Sequence, residues 1–379
     1  MQSNNIIKIE AAGAGKTYSL CESALEITEK EMKKKRVLIL SYTNRGVDAI
    51  KTEIKKQNMG VLSNKIDVMS WYTFLLGEMI KPYQSFLFDI NEIKSLDFSE
   101  VYGKINYGKK GTKGRYINSH GDIRSNYASE LILYLNNISD SMIVNRLQKI
   151  YSYIFIDEVQ DMAGYDLNII ALLMKSNILI TCVGDNKQAT FKTNNSTKNK
   201  KKTGTNIWMF FEELIGEGIA EIKKNLVSRR FNREICNFAN EVYSNENNMF
   251  TSMSEVTEHD GVVLITKNDV SEYYNYFSPT ILKYDKKTDT GEYLSYNFGE
   301  CKGMTFERVI IFPNGPFKDF LLKGKVLKSP QKYYVAATRA KYSIAFVLDK
   351  LPIETNRWRK EKLNIGGKSI EVLKYVTSV

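Results

Sequence analysis

The chain has 379 residues, 43% of them hydrophobic, so it is long enough to bury one large core or two ordinary ones. Its formal net charge is +11 and 12% of its residues are aromatic, a combination typical of surfaces that neutralise phosphates and stack on bases, although a Lys/Asn/Ile-rich composition bias is an alternative explanation. No run approaches about eighteen apolar residues and no apolar leader is visible, so we expect neither membrane spanning nor secretion.

The cysteines and histidines exclude several kinds of site. Only two histidines are present, His120 and His259. A histidine metal site, or a Ser-His or Cys-His triad, is therefore not expected. Four cysteines lie far apart and form no C-x-x-C pair: Cys21, Cys182, Cys236 and Cys301. Neither a zinc site nor a disulfide framework is indicated, and we expect a reducing, cytoplasmic compartment.

A glycine loop follows the first predicted strand, residues 6–9, and precedes a predicted helix over residues 19–30. In this arrangement backbone N–H groups cradle phosphates, a lysine reaches the terminal phosphates and a hydroxyl ligates Mg²⁺. The usual first glycine of G-x-x-x-x-G-K-[ST] falls on Glu10, and a helix-capping glycine turn is the alternative. We predict that ATP is bound by Gly13, Ala14, Gly15, Lys16, Thr17 and Tyr18, with Thr17 on Mg²⁺.

The next elements in the chain predict an α/β fold. A strand at residues 36–40 and a helix at 44–57 precede a region of weaker periodicity, about 81–146, which we interpret as an insertion with a mobile basic loop at 108–115. Strands alternate with helices, and we therefore expect a parallel sheet.

Two adjacent carboxylates end the apolar run at residues 153–156. Such a pair at the end of a buried strand suits magnesium-nucleotide hydrolysis: Asp157 would hold Mg²⁺ through water, and Glu158 would activate the attacking water. A solvated acidic surface pair is the alternative. The glycine loop near the N-terminus favours the hydrolytic interpretation.

The remaining chain continues the α/β pattern. A strand is predicted at 177–183, and the Lys/Asn/Thr-rich stretch 192–206 is interpreted as a solvated loop whose charge could also contact a nucleic-acid backbone. A second α/β set begins near Glu212, with predicted strands at residues 261–265, 308–312 and 343–348.

In this order, from about Ile7 to Leu348, the motifs resemble those of the UvrD/Rep/PcrA-type superfamily 1 helicases. Beyond the two nucleotide motifs, the similarity lies in residues 42–45, 70–74, 184–188, 226–240, 302–310 and 334–341. The resemblance implies two RecA-like P-loop NTPase cores, residues 1–206 with the insertion at about 81–146 and residues 207–379. It also implies that ATP lies in the cleft between the cores.

The same resemblance implies roles for further residues. Gln188 would sense the γ-phosphate, Arg230 and Arg339 would stabilise charge on the transferring phosphoryl group, and Arg229 and Gly303 would lie near the nucleotide. The residues expected to contact single-stranded DNA are Thr43, Asn44, Arg45, Ser70, Trp71, Tyr72 and Phe191.

The implied function is an ATP-dependent translocase or helicase on single-stranded DNA, with 3′-to-5′ polarity. The alternative is a DNA-gated ATPase sensor beside a partner nuclease, as in Gabija-type phage defence; a binding module without hydrolysis is a third interpretation. Residues 240–299 are short where the family inserts a large helical subdomain, and Thr193 lies where the family has a base-stacking aromatic. We therefore expect a DNA-stimulated ATPase that unwinds duplexes poorly without a partner.

Overall fold

A computed structural model describes residues 5–30, 35–86, 93–99, 108–244, 251–253, 257 and 259–376. Its contacts divide the chain into two compact units. Unit 1 comprises Met1–Ile9 and Lys16–Lys224, and unit 2 comprises Glu10–Gly15 and Asn225–Val379.

Unit 1 is built on a parallel sheet. Its strands are β1 (Asn5–Glu10), β2 (Arg36–Ser41), β3 (Ile66–Ser70), β4 (Leu96–Asp97), β5 (Ile123–Arg124), β6 (Tyr151–Ile156), β7 (Leu179–Gly184) and β8 (Ala220–Asn225). The main sheet has the order β3-β2-β6-β7-β1-β8, and β4 and β5 form a separate short pair. The pairs β2/β3, β2/β6, β6/β7 and β1/β7 are all parallel. Strands β2 and β7 are almost wholly buried, as their near-continuous apolar sequences predict for a sheet covered on both faces.

The helices of unit 1 cover this sheet. They are α1 (Lys16–Lys30), α2 (Asn44–Gln57), α3 (Trp71–Phe74), α4 (Lys113–Tyr116), α5 (Ala128–Ile138), α6 (Met142–Ile150), α7 (Asp166–Met174) and α8 (Trp208–Gly216). A π-helix (Leu75–Ile80) and a 3₁₀ helix (Lys81–Phe86) continue α3. Helix α2 begins where the Thr43 hydroxyl accepts a hydrogen bond from Gly46 N at 3.0 Å, the N-cap geometry expected of threonine.

The segment interpreted as an insertion contributes to the core of unit 1 in its described part. Helix α5 buries most of its residues, among them Leu131, Ile132 and Leu135. In the predicted basic loop at 108–115, Arg115 makes a bidentate ion pair with the buried Glu130, at 2.8 and 2.9 Å. Residues 87–92 and 100–107 of the segment lie outside the described residues.

The Lys/Asn/Thr-rich stretch 192–206 exposes Lys192, Lys198, Lys200 and Lys201, as expected of a solvated loop, but it is also anchored by hydrogen bonds. Asn194 Nδ2 donates to Asn126 O at 3.1 Å, and Asn199 Nδ2 donates to Gly164 O at 2.9 Å. Asparagine amides both donate and accept hydrogen bonds, so a polar sequence is fixed here without apolar side chains.

The first unit extends past the predicted boundary at residue 206. Helix α8 packs Phe210, Phe211 and Leu214 into the core of unit 1, and β8 joins its sheet. The division between the units therefore follows Lys224, because these elements bury their apolar residues against the first sheet.

Unit 2 contains a second sheet. Its strands are β9 (Val227–Ser228), β10 (Thr251–Ser252), β11 (Gly261–Thr266), β12 (Thr280–Lys283), β13 (Ser295–Asn297), β14 (Phe306–Phe312), β15 (Ala340–Leu348), β16 (Trp358–Ile365) and β17 (Lys368–Tyr375). Its helices are α9 (Arg233–Val242), α10 (Val270–Phe277), α11 (Gly315–Lys323) and α12 (Gln331–Ala337). The seven-stranded order is β13-β12-β14-β15-β11-β17-β16, and β9 and β10 form a separate parallel pair.

The three strands predicted in this unit, now β11, β14 and β15, form the centre of its sheet and pair in parallel. The antiparallel hairpin β16/β17 adds two strands beyond β11 that the sequence did not predict. The α/β fold class with parallel sheets is confirmed in both units.

Candidate functional site on the first sheet

Four loops of unit 1, and the start of the glycine loop after β1, leave from one edge of the first sheet. Strands β3, β2, β6, β7 and β1 are adjacent and parallel, so the loops that follow them leave from the same edge. The loops after β3 and β2 contain the residues predicted for DNA contact. The loops after β6, β7 and β1, which come next along the sheet, contain the residues predicted for hydrolysis. The carboxyl edge of an open parallel sheet is where such folds bind ligands.

The glycine loop connects β1 to α1, and Lys16 and Thr17 begin the helix. Gly13 and Gly15 have φ angles of 77° and 89°, which a residue with a Cβ adopts only with strain. Lys16 and Thr17 are half-buried, whereas Tyr18 is exposed and its hydroxyl donates to Glu22 Oε1 at 3.4 Å. The start of a helix presents backbone N–H groups, as phosphate binding requires.

The loop residues themselves pack within unit 2. Ala11 N donates to Asn225 O at 3.0 Å, and Arg229 N donates to Gly13 O at 2.9 Å. A Cβ on Gly13 would lie 2.5 Å from both Arg230 Cβ and Ser228 Oγ. This close approach is a second reason why glycine is required at position 13. Ala14 is buried in the same apolar core as Phe231.

The two carboxylates predicted for hydrolysis follow β6. Asp157 is buried, and its N–H donates to Leu40 O at 2.8 Å. Glu158 adopts φ = 55°, a left-handed conformation that is strained for a residue with a side chain. Such strain persists only where surrounding structure holds it, and it clusters at functional sites.

Gln160 connects Glu158 to the loop after β7. Gln160 Nε2 donates to Glu158 Oε2, and Gln160 Oε1 accepts from Asp185 N at 3.0 Å. A Cβ on Gly184 would lie 2.5 Å from Gln160 Oε1, so a glycine is needed for this approach. The fully buried Gln160 therefore fixes the orientation of Glu158.

Gln188 is hydrogen-bonded to Asp185. Its Nε2 donates to Asp185 Oδ2 at 2.9 Å, and its N–H donates to Asp185 O at 2.9 Å. Asp185 Oδ1 also accepts from Lys187 N at 3.0 Å. The structure thus brings Glu158, Gln160, Asp185 and Gln188 into one hydrogen-bonded chain.

The residues available for a metal ion are of the right kind for magnesium. Among the described residues no group of three or more His, Cys, Asp or Glu side chains could hold a metal by itself. Mg²⁺ commonly takes one or two carboxylates and fills its remaining positions with water and substrate phosphates. Asp157 and the Thr17 hydroxyl, both at the carboxyl edge of the sheet, form a donor set of that kind.

The loops after β2 and β3 line a groove of about 520 Å³. Its lining residues are Tyr42, Thr43, Asn44, Ser70, Tyr72, Thr73, Leu76, Ser95, Leu96 and Phe98. Four of the predicted DNA contacts are thus brought together: Thr43, Asn44, Ser70 and Tyr72. Arg45 is exposed at the start of α2.

Aromatic rings dominate this groove. The Tyr42 ring lies 6.1 Å from that of Tyr72 and 6.4 Å from that of Phe191, and the Tyr72 and Phe98 rings meet edge to face at 4.8 Å. Phe98 and Phe191 are 59% and 40% exposed, so both rings can be reached by a ligand. Burial raises the pKa of the Tyr72 phenol, which stays a hydrogen-bond donor at neutral pH.

Trp71 is not a nucleic-acid contact in this structure, and that prediction is corrected. Its side chain is fully buried in the core of unit 1, with its ring 6.0 Å from that of Phe74. Residues 70–72 turn from strand β3 into helix α3, which directs Trp71 inward and leaves Tyr72 at the groove.

The two arginines predicted to clamp the phosphoryl group both lie in unit 2 and donate hydrogen bonds to other residues of that unit. Arg339 is buried, and its guanidinium donates to Val335 O at 2.8 Å, to Met304 O at 3.0 Å and to Thr338 Oγ1 at 3.0 Å. Arg230 Nη1 donates to Thr338 O at 3.1 Å. These bonds place both guanidinium groups around Thr338, and the clamp role stays a prediction.

The other two residues predicted near the nucleotide are also in unit 2. Arg229 is exposed, and its backbone N–H is the group that binds Gly13 O. Gly303 is exposed in the turn before β14, with φ = 83°. Their contribution to nucleotide binding stays a prediction.

Sequence reasoning missed five residues of this region as site residues: Tyr42, Phe98, Gln160, Asp161 and Asp185. Gln160 and Asp161 closely follow the acidic pair, and Tyr42 and Asp185 lie in the segments 42–45 and 184–188 that resemble family motifs, so these side chains were an available signal. Phe98 carried none, because it reaches the groove from a segment with weak periodicity.

Comparison with known proteins supports the resemblance found in the sequence. Residues 76–203 match the family model of the UvrD/REP helicase N-terminal domain. This part of the chain is similar to the N-terminal domain of the UvrD/REP helicases. The match includes the loops after β6 and β7, and it confirms the resemblance to the UvrD-like superfamily 1 helicases.

Solved structures and curated sequences were also compared. The chain is similar to an arterivirus nonstructural protein 10 (helicase) in complex with DNA, at 13% identity and a TM-score of 0.46, over 90% of this chain and 60% of that one. It is also similar to the DUF1998 helicase MrfA bound to DNA, at 12% identity and a TM-score of 0.43, over 93% of this chain and 45% of that one. No curated protein matches the chain. Among the described residues of this UvrD-like chain, no helix has the length and apolar character to span a membrane.

Proposed function

We propose that this UvrD-like chain is an ATPase driven by single-stranded DNA, which couples Mg-ATP hydrolysis to movement along the strand with 3′-to-5′ polarity. One observation carries the proposal. The hydrolytic side chains and the aromatic groove occupy adjacent loops at a single edge of one parallel sheet.

In the proposed reaction Lys16 faces the terminal phosphates, and Thr17 and Asp157 hold Mg²⁺, which would neutralise charge on the phosphates. Glu158 accepts a proton from the attacking water, with its carboxylate oriented by Gln160. Gln188 lies one hydrogen bond from Asp185, which in turn binds Gln160. A change at the γ-phosphate that moves Gln188 would therefore also affect Gln160, which orients Glu158.

The aromatic rings of the groove favour single-stranded over double-stranded nucleic acid as its ligand. Bases stack on aromatic rings only when they are unpaired, and such stacking tolerates any sequence. Tyr42, Tyr72, Phe98 and Phe191 offer such rings, and Thr43, Asn44 and Ser70 offer hydrogen bonds to the backbone. The exposed Arg45 adds a positive charge beside them.

The deciding experiment measures ATP turnover of the purified chain with and without single-stranded DNA, followed by strand separation of a tailed duplex. We expect strong stimulation by DNA and poor strand separation. Turnover that DNA does not change would overturn the proposal. Stimulation without directional displacement of a strand-bound block would favour the alternative of a DNA-gated sensor, which could act with a partner nuclease.

A further inference from the structure

Asp161 binds the segment that supports the groove. Its carboxylate Oδ1 accepts a hydrogen bond from Phe191 N at 3.2 Å, and its carbonyl accepts one from Thr193 N at 2.9 Å. Asp161 and Thr193 are both buried. One residue thus fixes the backbone of residues 191–193 at two points.

The other side of this segment contacts the groove. The Tyr72 hydroxyl donates to Thr193 O, and the Phe191 ring lies 6.4 Å from that of Tyr42. A displacement of residues 191–193 would therefore move two of the rings available for stacking. Thr193 also receives a hydrogen bond from Ala163 N on its hydroxyl, at 3.0 Å, which fixes its side chain.

Asp161 also contacts Glu158, the residue that we propose as the general base. Its N–H donates to Glu158 O at 3.0 Å, closing the 3₁₀ turn Val159–Asp161. Glu158 is held in a left-handed conformation, so a change at its side chain would act on Asp161 through this short, hydrogen-bonded turn. Buried hydrogen bonds of this kind transmit strain because the packed interior has few alternative arrangements.

We propose that Asp161 is a positioning residue that couples nucleotide binding to the aromatic groove, through residues 191–193 and Tyr72. This inference rests on the proposed function. It assigns to Asp161, three residues after Glu158, a role separate from metal binding and from proton transfer. Coupling between two sites is a ratio of affinities, so the test measures that ratio.

The experiment measures the Kd of the full chain for a fluorescent single-stranded oligonucleotide, with and without Mg²⁺ and a non-hydrolysable ATP analogue. For the parent protein we expect the analogue to change Kd by about fivefold or more. Asp161→Ala removes the acceptor for Phe191 N, and the change should fall below about twofold. Asp161→Asn keeps an oxygen acceptor and should retain most of the change.

A merely structural role for Asp161 would alter both Kd values equally and leave their ratio unchanged, which would overturn the inference. If Asp161→Ala does not fold, Tyr72→Phe tests the same connection, since it removes only the hydroxyl bonded to Thr193 and should also lower the ratio. An unchanged ratio in Tyr72→Phe would then overturn the inference. DNA-stimulated turnover of the parent, measured alongside, distinguishes this failure from failure of the proposed function.

Discussion

Gln160 holds Glu158: its side-chain amide donates to the Glu158 carboxylate while its carbonyl oxygen accepts from the backbone of Asp185. These bonds fix the direction of the carboxylate that we propose as the general base, and they fix the loop that contains Gln188 with it. Gln160 thus connects Glu158 to Asp185, which lies 25 residues after Gln160 in the chain.

Glu158→Gln is expected to abolish ATP hydrolysis while nucleotide binding persists. The amide keeps the shape of the side chain but cannot take a proton from water, and general-base catalysis contributes about 10²–10⁴-fold. Turnover and nucleotide affinity, measured on the same preparation, check this. Glu221→Gln on the exposed strand β8 is the matched control and should behave like the parent. Near-parental turnover in Glu158→Gln would remove Glu158 as the base.

Gly184→Ala is expected to impair hydrolysis through Gln160. The new Cβ would lie 2.5 Å from Gln160 Oε1 and 2.9 Å from Val159 Cγ1, so the Gln160 side chain must leave its bonds to Glu158 and Asp185. The expected result is a folded protein with kcat reduced at least about tenfold. Gly216→Ala is the control, because no atom lies within 4 Å of its added Cβ, and alanine in a helix should slightly raise stability. Parental kcat in Gly184→Ala would show that Gln160 does not orient the base.

The aromatic side chains around the groove should separate into two classes. Tyr42→Ala and Phe98→Ala should weaken single-stranded DNA binding by about 1–3 kcal/mol each with little change in thermal stability, because they would remove stacking. Trp71→Ala should instead lower the free energy of unfolding by about 3–5 kcal/mol, because it empties a buried site. Fluorescence anisotropy and thermal melts check the two effects, with Tyr276→Ala, an exposed tyrosine of unit 2, as the control. Parental DNA affinity in both groove variants would exclude the groove as the binding surface.

DNA binding should weaken steeply as salt rises. A protein that contacts several phosphates releases counterions, and for single strands the slope of log K against log salt is about −0.7 per contact. Replacing Lys198, Lys200, Lys201 and Lys202 with serine should change Kd only about threefold or less, because Lys202 already pairs with Glu213. Binding titrations at several salt concentrations measure both quantities. Affinity that is independent of salt would contradict phosphate contact.

His259 should make the fold less stable in acid. Its Nε2 lies 2.8 Å from the Tyr273 hydroxyl, and burial, with smaller effects from Arg308 and Lys374, lowers its pKa to about 4. The unfolded chain, with a histidine pKa of about 6.5, then binds more protons, so this contribution is complete above pH 6.5 and is lost as pH falls towards 4.

Urea unfolding of the parent and of His259→Gln between pH 4 and 7 measures this effect. The variant should lose part of the slope of stability against pH, to which a single group contributes at most about 1.4 kcal/mol per pH unit. His120→Asn, at an exposed histidine, is the matched control. An identical slope in His259→Gln and the parent would show that His259 does not contribute.

The sequence by itself determined the fold class and most of the local chemistry. Apolar runs such as residues 153–156 predict buried parallel strands, because a sheet covered on both faces needs no polar alternation. The glycine loop and the acidic pair were recognisable for the same reason: each is a short contiguous segment whose backbone geometry and chemistry are set by its own residues. The positions of Gly13, Thr17, Asp157 and Glu158 relative to strands β1 and β6 follow from that local information.

Only the tertiary structure decided which side chains meet. Trp71 and Tyr72 are adjacent in sequence and equally aromatic, yet the turn from β3 into α3 buries one and leaves the other at the groove. Phe98 joins that groove, and Asp161 binds residues 191–193, through contacts between segments distant in the chain. Such contacts depend on strand order and packing, which no short segment specifies. For this reason the contacts between the loops after β6 and β7 and the groove are visible only in the folded chain.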